Sequence, residues 1–540
     1  MAGSAKKTVT AESSSPTTRE IVEGATRMSG FNFATWRSAS DDPVMRSTMI
    51  GLMLLEKAPD WKLLRERCDR ASRTNTILRK KVIDSPIAVG NPRLVIDPDF
   101  DLSFHLRRFD MPAGATWDDV LEDARRHSMV GFDLDRPLWR MTVLNGLPGG
   151  RSVMMLKLHH AIADGQGAVL LGASLFDFSP EGQDLGPMPP EPSGDELSTV
   201  GFVEAIGKDA VWRTARTAQD VITGFTPKTL KALRRPRKAA ANLVKSARSV
   251  ARVAAIPLGP LSPLMRKRSI NYHFGTFDVP FADIQAVAHA SDHTANDVFL
   301  AAVSEGMARF HNAEGRPVDK LRINMPISLR KAGDSFENAI TIARFEMPIA
   351  TDGTKKLMDE VAATVQRWRK EPALAWTEQL ADVSRILPVE LLAAVAQASD
   401  VTASNVPGVP IPVWLAGAQI LRMYPLVATI GAAVNITMLT YNGTASVGVS
   451  SDDAAVADHD LLIKSFREGF AEAIGKPVSA RSPLGEGSDE PPVRTKRKGS
   501  VRKVSSRKLA PAKKAPAKKA PAKKAASKRA PAKKAPAKKA

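Results

Sequence analysis

Between Asp220 and Asp278 the chain has no acidic residue, while twelve Lys and Arg lie from Lys228 to Arg268. A chain of 540 residues is too long for one hydrophobic core, and this one-sided segment is where it divides. Globular patterning precedes it over 31–178 and resumes over 270–474. The expected layout is a disordered N-terminus over 1–24, a first domain over 25–198, a basic linker or helical crossover over 199–269, a second domain over 270–475 and a disordered polybasic tail over 476–540. Helical periodicity marks 61–70, 281–290 and 295–310, whereas 153–158 and 270–279 read as strands. The Pro-, Gly- and acid-rich stretch 179–198 reads as a loop.

Over the whole chain 77 Lys and Arg oppose 57 Asp and Glu, a formal net charge of +20, but the last fifty residues hold twenty basic groups and no acid. The first 490 residues are therefore neutral, and a nucleic-acid-binding reading rests on the tail alone. From Pro511 that tail repeats PAKKA, which cannot build a core and would bind DNA or anionic lipid without sequence specificity. Residues 228–252, with Leu230, Leu233, Leu243 and Val244 among the charges, can form a basic amphipathic helix suited to an anionic membrane surface. They can equally link the domains with a solvated basic face. The single cysteine, Cys68, excludes internal disulfides and multi-cysteine zinc sites. Residues 1–20 hold no apolar signal-like run. The apolar stretch 424–439 contains Asn435 and is shorter than the roughly twenty residues of a membrane span, so it reads as buried strand. A reducing, cytoplasmic setting is expected, with membrane contact peripheral.

The densest chemistry lies in Leu156-Lys157-Leu158-His159-His160-Ala161-Ile162-Ala163-Asp164-Gly165-Gln166-Gly167, where a strand ends and a glycine-containing loop begins. A loop at a strand end lets a rigid scaffold present an imidazole to a cleft. With an ordinary pKa of about 6.5, that imidazole is mostly neutral at pH 7 and can take a proton from a hydroxyl or thiol. Asp164 suits a turn in which its carboxylate bonds to backbone or to a distant cation, and Gly165 supplies a positive φ or room for close approach. Taken singly, a strand-end histidine is commonly a satisfied core residue and an Asp-Gly pair commonly a turn. In the order HHxxxDG they point together to a site. Adjacent strand residues face opposite ways, so His159 and His160 would make a poor shared metal site.

HHxxxDG at a strand end resembles the chloramphenicol-acetyltransferase-like superfamily, which includes peptide-synthetase condensation domains and acyl-CoA-dependent acyltransferases. Further blocks resemble the bacterial wax ester synthase/diacylglycerol acyltransferase (WS/DGAT) family. Leu134-Asp135-Arg136-Pro137-Leu138-Trp139 is similar to its PLW block, Thr294-Ala295-Asn296-Asp297 to its ND block and Pro326-Ile327-Ser328-Leu329-Arg330 to its P-[IV]-S-x-R block. Asp101-Leu102-Ser103-Phe104-His105-Leu106-Arg107-Arg108 and Ser404-Asn405-Val406-Pro407-Gly408 follow the same order, so the resemblance spans roughly 31–474.

The resemblance implies an α/β fold: two chloramphenicol-acetyltransferase-like domains, each a mixed sheet flanked by helices, with the active site in a channel between them. It implies an O-acyltransferase in which His160, as general base, deprotonates the hydroxyl of a diacylglycerol or long-chain alcohol. That oxygen attacks the acyl-CoA thioester directly, with no acyl-enzyme, to give triacylglycerol or wax ester. No cofactor beyond the acyl-CoA substrate is implied, and no metal. His159, Asp164 and Gly165 support the motif. Asn296 is the candidate for an oxyanion or acceptor contact, although Thr294 and Asp297 also read as a capping box that starts a helix. Trp139 reads as core more than as a substrate contact, and Arg330 is a candidate cation for Asp164. An enzyme with lipid substrates would work at a membrane or lipid-droplet surface. The rivals are another HHxxxDG enzyme, acylating a polyketide or a carrier-bound amino acid, and an inactive acyltransferase body that binds DNA or lipid through its tail.

Overall fold

Strands buried at nearly every position, such as 48–55, 151–159 and 444–452, set the frame, two six-stranded sheets of mixed direction. The structure is a computed structural model that describes residues 28, 30–84, 92–192, 259–328, 340–349, 353–370 and 388–485. In the first half, β1 (Thr48–Leu55) is followed by an antiparallel pair of β2 (Lys80–Ile83) and β3 (Arg93–Ile96), then by β4 (Leu106–Asp110), β5 (Trp139–Leu147) and β6 (Arg151–His159). The second half supplies β7 (Tyr272–Pro280), β8 (Lys320–Ser328), β9 (Ile340–Pro348), β10 (Val401–Val406), β11 (Trp414–Leu415), β12 (Ala418–Val427), β13 (Val434–Tyr441) and β14 (Thr444–Asp452). The first sheet has the order β11-β12-β1-β6-β5-β4 and the second β7-β14-β13-β10-β8-β9. Pairing is parallel at β4/β5, β8/β10 and β10/β13 and antiparallel elsewhere.

The first sheet is not built from the first half alone, because β12 pairs with β1 along its length. The apolar stretch 424–439, which reads as one buried strand, is in fact the end of β12 and most of β13, in different sheets. The chain turns between them at Ile430 and Gly431, both with positive φ. The two sheets meet where β12 crosses β14: a Cβ built on Gly448 would stand 1.8 Å from the carbonyl oxygen of Pro425, so only glycine lets the backbones pass. Asp278 on β7 fastens this corner by accepting hydrogen bonds from the Tyr424 hydroxyl (2.9 Å), Arg422 Nε (3.0 Å) and Ser446 Oγ (2.8 Å). The two halves thus share one sheet, which apolar patterning cannot reveal because it carries no record of which strand a distant segment will pair with.

Helices cover the sheets. In the first half these are α1 (Gly30–Asp41), α2 (Trp61–Thr74), the single turn α3 (Leu102–His105), α4 (Trp117–Met129) and α5 (Gly165–Ala173). The second half has α6 (Phe281–Ala290), α7 (Ala295–Ala313), α8 (Thr354–Arg369), α9 (Val389–Gln397) and α10 (His459–Ile474). The helical periodicities at 61–70, 281–290 and 295–310 correspond to α2, α6 and α7. A core under α7, α8 and α10 backs the second sheet, while α4 buries Trp117, Val120 and Ala124 against the first. Among the described residues no helix is long and apolar enough to cross a membrane. Residues 1–27, the stretch 193–258 that includes most of the basic linker, Arg330 and the tail beyond 485 lie outside the described residues.

Candidate functional site

The histidine motif begins where β6 runs out. Leu156, Leu158 and His160 share one face of the strand and line a cavity of about 300 Å³ between the two sheets. His159 turns the other way, into a cage in which Trp36 and Phe132 meet its ring edge-on, at 5.5 and 5.6 Å between centroids. Its Nδ1 accepts the Ala161 N–H (3.1 Å), and its backbone N–H donates to the carbonyl of Leu138 in the PLW block. Burial pushes the His159 pKa down to about 3, so this imidazole is a neutral structural acceptor. The opposite faces expected of adjacent strand residues are what separates the two histidines.

His160 is held by the loop beneath it. Its backbone N–H donates to the Ser47 carbonyl (2.7 Å), at the entrance to β1. Burial pushes its pKa below the ordinary histidine value, while a hydrogen bond to its own backbone and the nearby Asp164 carboxylate pull it back up. Neutral imidazole therefore predominates at pH 7, the form a proton acceptor needs.

Asp164 finds a backbone partner. It is the N-cap of α5, buried, with Oδ1 accepting the Gly167 N–H at 2.7 Å. Gly165 serves close approach and not positive φ: a Cβ there would stand 3.0 Å from Cγ2 of Val406, at the end of β10. Gly172, about two turns further along α5, also lines the cavity, and a Cβ on it would lie 3.3 Å from Phe176 Cζ and 3.8 Å from Met53 Cε. The loop after His160 thus closes the first half onto the second, and the helix it starts forms an apolar arm of the cavity.

The other motif residues separate into two groups. Trp139 is core, its Nε1 donating to the Leu78 carbonyl (2.6 Å) and its ring stacked on His105 at 4.4 Å. Thr294 and Asp297 form a complete capping box at the start of α7. Asn296 lies in the same first turn, its Nδ2 buried, and is not among the residues that line the cavity with His160. Pro326, Ser404 and Val406, from the P-[IV]-S-x-R block and the block at 404–408, do line it.

Sequence reasoning missed the polar wall. Asn324, Arg344, Thr402, Ser404, Asn435 and Thr437 face the cavity from four strands of the second sheet, opposite the apolar wall of Met49, Met53, Leu156 and Leu158. Thr437 Oγ1 donates to Asn435 Oδ1 (3.0 Å), and Asn324 Oδ1 accepts from both Arg344 Nε (3.1 Å) and Ser399 Oγ (2.9 Å). The one available signal was period-two spacing, 402/404 and 435/437, inside otherwise apolar strands.

Residues 35–299 match the wax ester synthase/diacylglycerol acyltransferase catalytic domain and residues 336–473 the WS/DGAT C-terminal domain. A Mycobacterium tuberculosis protein provisionally named a diacylglycerol O-acyltransferase is 32% identical over 439 residues, 80% of this chain and 89% of its own. Another of that species and provisional activity is 26% identical over 430 residues, 77% and 89% of the two chains. Among solved structures, the wax ester synthase/diacylglycerol acyltransferase from Marinobacter aquaeolei VT8 superposes with a TM-score of 0.55 at 19% identity, covering 83% of this chain and 98% of that one. The first condensation domain of the CDA synthetase gives 0.56 at 15%, covering 85% and 98%. The two structural likenesses speak to the fold, the shared chloramphenicol-acetyltransferase-like architecture, and the sequence matches to descent: this chain belongs to the wax ester synthase/diacylglycerol acyltransferase family of acyltransferases.

Proposed function

We propose that the protein transfers a long-chain acyl group from acyl-CoA to the hydroxyl of a diacylglycerol, a long-chain alcohol, or both, with His160 as general base. The carrying observation is His160 itself, the imidazole of the HHxxxDG motif, lining a cavity with one apolar and one polar wall. The apolar wall and the arm beside Gly172 suit an acyl chain, and the polar wall suits hydroxyl, ester and amide groups. The acceptor O–H gives its proton to the imidazole as its oxygen bonds to the thioester carbonyl carbon. The resulting tetrahedral species expels CoA thiolate by breaking the C–S bond, and the imidazolium returns the proton to that sulfur. Products are the ester and CoA, with no bond to the enzyme at any stage. General-base action contributes about 10²- to 10⁴-fold, and positioning supplies the rest.

The provisional names of the mycobacterial relatives favour diacylglycerol as acceptor. Work at a membrane or lipid-droplet surface fits such substrates, and the basic segments, largely outside the described residues, are its proposed contact. The test is purified protein given long-chain acyl-CoA with diacylglycerol or a long-chain alcohol, reading free CoA and neutral lipid together. Ester formation equal to CoA release supports direct transfer. CoA release without ester, or ester only with a carrier-bound acceptor, would favour the condensation-type rival.

A further inference from the structure

The polar wall is ordered by strand register. Strand register places Arg344 on β9 opposite Asn324 on β8, Asn324 opposite Thr402 on β10, and Thr402 opposite Asn435 on β13. All four line the cavity, so they form a single transverse row. Three strand spacings put its ends ~14 Å apart. One end, Asn435 with Thr437, lies towards the corner where β12 crosses the second sheet. The other, Arg344, lies on β9, the edge strand among the described residues, next to half-exposed Ile342 in the cavity lining.

Arg344 is the cationic residue of this wall, and among the described residues no carboxylate sits against it. Burial and the neighbouring Arg322 push its pKa down to about 10. Glu346, two residues on, stands 3.8 Å from Arg322 and is half exposed. A guanidinium held by one neutral amide, facing a cavity and repelled by a second guanidinium, is arranged to receive an anion.

We propose that Arg344 recognises the phosphate at the end of the pantetheine arm of the acyl donor, with Asn324, Thr402 and Asn435 lying along the arm's amides. The arm runs about thirteen bonds from sulfur to phosphorus, on the order of 15 Å extended at the ~1.2 Å per bond of an extended backbone, which matches the row. Phosphate at Arg344 puts the nucleotide outside the edge strand and the thioester towards Asn435 and Thr437. This inference rests on the acyl-CoA reading above, and its test needs no turnover.

Binding of pantetheine, 4′-phosphopantetheine and CoA is measured by titration calorimetry with wild type, Arg344→Gln and Arg344→Lys, with thermal midpoints recorded alongside. The expected result is at least tenfold tighter binding of 4′-phosphopantetheine than of pantetheine to wild type. That advantage should vanish in Arg344→Gln and return in part in Arg344→Lys. Equal binding of the two ligands by wild type would overturn the inference, as would an advantage that survives Arg344→Gln. Phosphatidate preferred over diacylglycerol in an Arg344-dependent way would move the anion to the acceptor and also overturn it. None of these outcomes bears on His160, whose role is read from turnover.

Discussion

Gly165 lies against Val406, so close that a Cβ on the glycine would stand 3.0 Å from the valine Cγ2. This contact joins the loop after His160 to the last residue of β10, and so locks the histidine to the opposite sheet. Gly165→Val should push the loop away from β10, at about 1–3 kcal/mol of overpacking if the backbones hold still. We expect kcat to fall at least tenfold and to recover in Gly165→Val/Val406→Ala, which makes room. A double variant as impaired as the single one would mean that the contact does not position the loop.

Asp164 acts in two ways that substitutions can separate. Its Oδ1 caps α5, so Asp164→Ala should lose about 1 kcal/mol or more of stability in denaturant titration, and Asp164→Asn, which keeps a side-chain oxygen, much less. Its charge raises the His160 pKa against the lowering effect of burial. In Asp164→Asn the imidazole is therefore easier to deprotonate, and the acid limb of kcat/KM should move to lower pH. An acid limb that stays or moves up would show that His160 does not set it.

The apolar arm predicts acyl selectivity. Gly172 sits on α5 at the cavity lining, where a Cβ would stand 3.3 Å from Phe176 Cζ and 3.8 Å from Met53 Cε. Gly172→Leu should fill this arm, lowering kcat/KM for sixteen- and eighteen-carbon acyl-CoA while sparing short chains. Competition between acyl-CoAs of different length checks it, and an unchanged length profile would place the chain elsewhere.

His159 predicts an acid-labile fold. Its folded pKa of about 3 lies below the ordinary value of about 6.5, so neutral His159 contributes stability above pH 6.5. Below that the unfolded chain takes up the proton and the contribution falls by ~1.4 kcal/mol per pH unit until pH approaches 3. His105, stacked on Trp139 with a pKa pushed down to about 4, adds to the same slope. Urea unfolding between pH 7 and pH 4 should be less steeply pH-dependent in His159→Asn than in wild type by about one proton. Equal slopes would deny the buried neutral form.

What the sequence made legible is what is local. The strand before His159 and the helix starts at Thr294 and Phe281 depend on residues within a few positions of one another. Asp164 had a nearby backbone partner three residues away, whereas Arg330, the distant candidate, lies outside the described residues. In the block at 294–297 the cap formed by Thr294 and Asp297 was legible because its members stand three residues apart. The row from Arg344 to Asn435 was hidden because its members come from four strands, and register, not spacing, aligns them. The sharing of β12 was hidden for the same reason.

The proposed chemistry stands on His160 taking the acceptor's proton. Steady-state CoA release by wild type and His160→Ala, with diacylglycerol and long-chain acyl-CoA saturating, tests it most directly once both proteins show the same thermal midpoint. The variant should lose about 10²- to 10⁴-fold in kcat. Equal turnover by the two proteins would contradict it.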